Sequence, residues 1–122
     1  MPVEYIPHPI RVDIQNVTGA RALDVIYQNA ALRPLMCIIS TQHYITNAAD
    51  TAMIQAEVDN VTPPVVWVSD CGLATSGVYV GLGMNTGHTT VFVVPPGFYF
   101  RMTRQIAGAG VVTLFRWMET LL

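Results

Sequence analysis

Apolar side chains recur along most of this chain with a period of two, the spacing of a strand with one buried face, and not with the 3.6 of a helix. In RALDVIYQ (21–28), Leu23, Val25 and Tyr27 alternate with Asp24, Ile26 and Gln28, which predicts a strand. LMCIISTQHY (35–44) reads as a second strand, apolar on both faces in its first half. In AMIQAEV (52–58), Ile54, Ala56 and Val58 alternate with Met53, Gln55 and Glu57. Further strands are predicted over VVWVSD (65–70), GVYVGL (77–82), TTVFVV (89–94), FYFRMT (98–103) and VVTLFRWMET (111–120). Val, Ile, Thr and aromatic residues dominate these runs, as pleated, half-buried positions favour.

Between the runs stand turn signals: NAALRP, NAADT (47–51), DNVTPP (59–64), CGLATSG, NTGH (85–88), Pro95-Pro96-Gly97 and IAGAG (106–110). Their spacing of roughly 8–12 residues is that of an all-β sandwich or barrel. At VPPGF, Pro96 presets φ for the second position of a type II turn and Gly97 tolerates the positive φ of the third. The apolar runs on either side are expected to fold back on each other as a hairpin, and a strand apolar on both faces needs cover on both. Pro2, Pro7 and Pro9 forbid a helix and disfavour a central strand at the start of the chain. The prediction is an all-β, antiparallel two-sheet β-sandwich, jelly-roll-like, over residues 11–122, with residues 1–10 an extended proline-rich arm that docks on a neighbour through Tyr5, Ile6 and Ile10. Trp117, in the last strand with Phe115 and Glu119, is expected to be buried.

Composition narrows the function. The chain has 122 residues, enough for one domain with a core of its own. Hydrophobic residues make up 52% and charged residues 11%, which excludes a disordered chain and leaves apolar surface for a partner, most simply identical subunits in a trimer. Net charge is −2, there is no lysine, and the arginines are scattered, so neither a nucleic-acid stripe nor a polybasic membrane anchor is present. No apolar run reaches the ~20 residues of a spanning helix, and the N-terminus lacks the pattern of a secretory signal, so the expectation is a soluble protein with no membrane insertion.

No catalytic, cofactor-binding or metal-binding residue is assigned from the sequence. GLGMNTG (81–87) fits neither nucleotide-loop pattern and reads as a turn, as does GAG (108–110). His8, His43 and His88 lack metal-ligand spacing and are expected at the surface or at strand ends. Ser40, Ser69 and Ser76 lack a nucleophile elbow. Asp70 beside Cys71 would raise a thiol pKa, not lower it. Glu57 and Asp59 are placed at a strand end and a turn, where solvation accounts for them. Cys37, inside LMCII, and Cys71 are read as free thiols, Cys37 buried. The N-x-T sequons at Asn16 and Asn60 are taken as chance. Trp67 and Trp117, with the other aromatics, include candidates for sugar stacking, against which stands a role in core and subunit contacts.

Several phrases resemble a β-sandwich module of tailed-bacteriophage virion proteins: NVTGARALDVIYQN, LRPLMCIIS, VFVVPPGFYFRM and TLFRWME. Arg21, Tyr27, Asn29, Pro34, Val94, Pro95, Gly97, Trp117 and Glu119 follow the order of that module, over most of residues 12–119. The resemblance implies a non-enzymatic homotrimer on a virion, with other virion proteins and a host surface receptor as partners. Met1, with no stalk ahead of the module, favours a capsid decoration or cement protein over a tail-fibre tip or receptor-binding knob. Residues 45–88 depart from the pattern, so no receptor-contacting residue carries over. A carbohydrate-binding lectin module is the alternative from a different class.

Overall fold

The structure is a computed structural model that describes residues 14–47, 49–74 and 83–122; the expected arm over 1–10 and the expected strand over 77–82 lie outside these residues. The strands are β1 (Gln15–Asn16), β2 (Tyr27–Gln28), β3 (Leu35–Ile45), β4 (Thr51–Asp59), β5 (Trp67–Ala74), β6 (Met84–Val94), β7 (Tyr99–Ala107) and β8 (Val111–Leu121). They form two four-stranded sheets, β1-β8-β3-β6 and β2-β7-β4-β5, and every pairing is antiparallel. The chain is therefore an all-β two-sheet sandwich.

The connectivity is that of a jelly roll. β1 pairs with β8, β2 with β7, β3 with β6 and β4 with β5, so the strands make one long antiparallel ribbon doubled on itself. Rolling that ribbon brings β8 beside β3 and β7 beside β4, which completes the two sheets. Among the described strands only β4 and β5 are both consecutive and paired. Most turns thus carry the chain from one sheet to the other.

Pro95-Pro96-Gly97 is one of these crossings. The Phe98 N–H donates to Pro95 O at 3.1 Å and Gly97 has φ 82°, which is the predicted type II geometry. The flanking strands nevertheless belong to different sheets, so the expected hairpin is an arch. Their apolar residues meet across the sandwich instead of along a shared ladder.

Alternation in β3 decides what the core contains. Leu35, Cys37, Ile39, Thr41, His43 and Ile45 point inward and are buried, while Met36, Ile38, Ser40, Gln42 and Tyr44 point outward. The core adds Ile54, Ala56 and Val58 from β4, Phe92 and Val94 from β6, Phe100 and Met102 from β7, and Val112 and Trp117 from β8. Phe100 lies at the centre, with ring centroids 5.8 Å from Tyr27, 6.4 Å from Phe92 and 6.4 Å from Trp117.

Two bulges displace the simple pattern. The register of β3 on β8 passes from Ser40↔Arg116 to Thr41↔Leu114, leaving Phe115 as the extra residue. Phe115 is therefore 60% exposed while Trp117 is fully buried, although the two are separated by the period of a strand. On β4 and β5 the register passes from Ala56↔Ser69 to Glu57↔Trp67, with Val68 extra, and Trp67 is turned out to solvent.

Other boundaries also move. NTGH (85–88), expected as a turn, lies inside β6, where Gly87 pairs with Gln42 and His88 with Thr41. RALDVIYQ keeps only Tyr27–Gln28 as strand; before it comes a 3-10 turn over Thr18–Ala20, and Asp24 takes φ 65°. The Asp24 carboxylate there accepts from Arg104, from its backbone N–H at 2.8 Å and from its Nε at 2.6 Å. A short side chain that tolerates positive φ interrupts the alternation at this point.

The turn between β3 and β4 is held by Asp50. One carboxylate oxygen accepts from the N–H groups of Thr46 and Asn47, each at 2.9 Å, and the other accepts from the Ala109 N–H at 2.9 Å. These donors favour the charged form, and the Asp50 pKa is lowered to about 2. A depressed carboxylate contributes stability that is present above its unfolded pKa and lost as pH falls through its folded pKa. We expect stability to decline as pH drops from about 4 toward 2. In Asp50→Asn the protein should be less stable at neutral pH and show a shallower decline in that window. Urea unfolding midpoints at a series of pH values check both effects.

Candidate functional site

One end of the sandwich gathers the polar side chains that the interior can least easily accommodate. Glu119 sits on the inward face of β8, paired with Cys37 of β3, and is 8% exposed. Arg21 Nε donates to Glu119 Oε2 at 2.7 Å and Arg21 Nη2 to Oε1 at 2.9 Å, a two-pronged pair. The Trp117 indole N–H donates to the same Oε2 at 2.9 Å. Arg21 also lies over the Tyr27 ring, 4.5 Å from its centroid, and Tyr27 meets Trp117 edge-on at 6.0 Å. The hydrogen bond to Glu119 raises the Arg21 pKa further above its usual range.

Asn29 closes the same end. Its side-chain N–H groups donate to Arg33 O at 2.9 Å and Val94 O at 3.0 Å, and its Oδ1 accepts from the Ala31 N–H at 3.1 Å. Its backbone N–H donates to Phe98 O at 2.9 Å, and its carbonyl accepts from the Gly97 N–H at 2.7 Å. Pro34 O accepts from the Leu122 N–H at 2.9 Å. The structure thus brings Arg21, Tyr27, Asn29, Pro34, Val94, Pro95, Gly97, Trp117 and Glu119 to one end of the fold. The residues that carry the resemblance form a structural lock.

Beside the lock a cleft of about 420 Å³ is lined by Gln15, Arg21, Gln28, Arg33 and Thr120, among others. Arg33 Nε donates to Leu122 O at 2.6 Å, and Glu119 is already taken by Arg21 and Trp117. The lining can offer amide and guanidinium donors to a polar ligand. Among the described residues its lining holds no thiol, and its carboxylate is held by Arg21 and Trp117.

Other described candidates have structural places, while His8 and Ser76 lie outside the described residues. His43 is not at the surface: it is fully buried, with Nδ1 2.8 Å from Ala52 O and Nε2 2.7 Å from Thr41 Oγ1. A carbonyl only accepts, so Nδ1 carries the proton and the neutral ring's Nε2 accepts from the Thr41 hydroxyl. Burial first, and then His88, disfavour its charged form and lower its pKa. His88 packs edge-on against it at 4.9 Å, although the two are far apart in sequence. Among the described residues no three His, Cys, Asp or Glu side chains come together as a metal site.

Glu57 is likewise buried, not solvated at a strand end: Arg101 Nε donates to it at 3.1 Å, and the Thr103 hydroxyl donates to the same oxygen. Cys37 and Cys71 are free thiols. Burial, reinforced by Glu119, pushes the Cys37 thiol well above its usual range, which leaves it inert. Cys71 is half-buried with its sulfur 3.3 Å from Thr90 Oγ1. At the first sequon, Asn16 Oδ1 accepts from the Thr18 hydroxyl at 2.6 Å, and Thr18 Oγ1 accepts from the Trp117 N–H at 2.9 Å. Both side chains tie the 3-10 turn to β8.

The lock gives Trp117 two tasks, filling the core and satisfying Glu119. Trp117→Ala should cost roughly 3–5 kcal/mol, the range for emptying a large aromatic site. Trp117→Phe keeps most of the volume but strips Glu119 of one donor and should cost less, about 1–3 kcal/mol. Equilibrium unfolding of both variants checks the order; a loss for Trp117→Ala no larger than that of a surface substitution would contradict it.

Comparison with protein-family models, with curated proteins and with solved structures found no match for the chain.

Proposed function

We propose that this chain is a non-enzymatic structural protein of a bacteriophage virion surface, assembled from identical copies, most simply three, and acting as a capsid decoration or cement protein. The observation that carries the reading is where the chemistry-bearing side chains go. Glu119, Glu57, Asp50, His43 and Cys37 are each buried. The four ionisable or imidazole side chains that need partners have them: Arg21 and Trp117 for Glu119, Arg101 for Glu57, backbone N–H groups for Asp50, and Ala52 with Thr41 for His43. Groups spent in this way serve the fold.

Two further features support the assembly part of the reading. The jelly roll is an architecture used by viral capsid and lectin domains, though a fold alone does not assign a function. In addition, large apolar side chains remain exposed on strands, among them Val91 at 54%, Val93 at 46%, Trp67 at 59% and Phe115 at 60%. A chain with 11% charged residues has little to keep such surfaces apart in solution.

The lectin reading is favoured by one observation, the outward-facing Trp67 on β5, since an exposed indole is a stacking surface for a sugar ring. Two assays separate the readings. Light scattering at micromolar concentration should give about three times the monomer mass, and the protein should co-sediment with emptied phage capsids without binding a glycan array. A monomer that ignores capsids and binds a defined glycan would replace the structural reading with the lectin one. Binding to host cells, with no binding to capsids, would move the protein to the tail-fibre tip.

A further inference from the structure

Resting on the reading that the protein is an assembly of identical copies, we infer that the contact between copies is made by the outer face of sheet β1-β8-β3-β6 and that a second copy of this chain covers it. The two outer faces of the sandwich differ in kind. Across β4 and β7 on one side, Glu57 pairs with Arg101 at 3.1 Å and Gln55 accepts from Gln105 at 2.7 Å, with Asp59 at the end of β4 and Asp70 on β5. On that face Glu57 and Gln55 are buried with their hydrogen bonds met within the chain, and charges of both signs are present.

The opposite face is organised in rows set by the strand register. Val93 stands beside Met36, and Met36 beside Thr120; Val91 stands beside Ile38, and Ile38 beside Met118. The next row is Thr89, Ser40 and Arg116, followed by Gly87, Gln42 and Thr113 and then by Asn85, Tyr44 and Val111. Arg116 is the single charge in these rows. Depletion of charge, more than bulk hydrophobicity, marks the core of a protein interface.

The area is of the order a stable contact needs. β3, β6 and β8 each run for 11 residues. At about 3.3 Å per residue and 4.8 Å between strands, three such strands project roughly 500 Å². Side-chain relief and the flanking β1 raise this toward the ~800 Å² per partner of a standard interface. A foreign partner would be chosen largely by complementary charge, of which this face has almost none. A neighbouring copy, from a chain of net charge only −2, meets no strong like-charge penalty there.

The test is a pair of measurements on the full chain. Val91→Glu/Val93→Glu places two carboxylates on the apolar rows at exposed positions of β6, and Trp67→Glu serves as the control on the other sheet. Light scattering at micromolar concentration should show the double variant reduced to monomer mass, with the control still assembled and both retaining the circular dichroism of the parent. Because the double variant could fail for want of folding, Thr89→Cys and Asp70→Cys provide an independent readout. As the protein is concentrated from nanomolar to micromolar, labelling of the cysteine at position 89 by a charged maleimide should slow at least tenfold, while the cysteine at position 70 labels at a constant rate. An assembled double variant, or equal labelling at the two sites, overturns the inference and leaves the assembly reading standing. A parent protein that is a monomer at every concentration sinks both.

Discussion

The structure depends on a carboxylate that the fold has taken out of water. Glu119 points into the sandwich from β8, and an unpaired charge there would cost several kcal/mol. Its oxygens instead receive Arg21 and the Trp117 indole, one from the irregular segment between β1 and β2 and the other from the centre of the core. β1 and β2 are only two residues each, too short to stay on their sheets by ladder hydrogen bonds alone. The pair from Arg21 to Glu119 ties the segment that joins them to β8, and Arg21 over Tyr27 aligns β2 beneath it. Asn29 performs the corresponding task for the next loop, binding it to the arch between β6 and β7.

This arrangement explains why the residues that meet at this end are scattered along the sequence. Arg21, Tyr27, Asn29, Pro34, Pro95, Gly97, Trp117 and Glu119 close the open end of a rolled ribbon, with Asn29, Trp117 and Glu119 buried there. They identify a way of folding. The apolar rows on the outer face of the β1-β8-β3-β6 sheet arise because Met36, Ile38, Val91 and Val93 occupy the outward phase of strands already apolar on their inward phase.

The period-two alternation made β3, β4, β6 and β8 legible from the sequence, along with the type II turn at Pro95-Pro96-Gly97. It could not show that this turn joins two sheets, because local dihedrals are the same in a hairpin and in an arch. Bulges were invisible for a related reason: one extra residue at Phe115 reverses the phase, so Phe115 and Trp117 end in opposite environments while matching in spacing. The buried polar groups were misplaced most. Glu57 and His43 look solvated as isolated letters, and only the pairing of β4 with β7 and the packing of β3 against β4 supply Arg101 and Ala52. The separation of 98 positions between Arg21 and Glu119 likewise hides their contact from any local pattern.

The claim that this contact holds the jelly roll together is tested most directly by a double-mutant cycle. Unfolding free energies would be measured for the parent, Arg21→Gln, Glu119→Gln and the variant carrying both. Coupled residues in one buried network interact by roughly 0.5–3 kcal/mol, and the account predicts a coupling above about 1 kcal/mol, with the double variant no less stable than Arg21→Gln. Losses that add to within about 0.3–0.5 kcal/mol would show that Arg21 and Glu119 act independently, and would contradict the account.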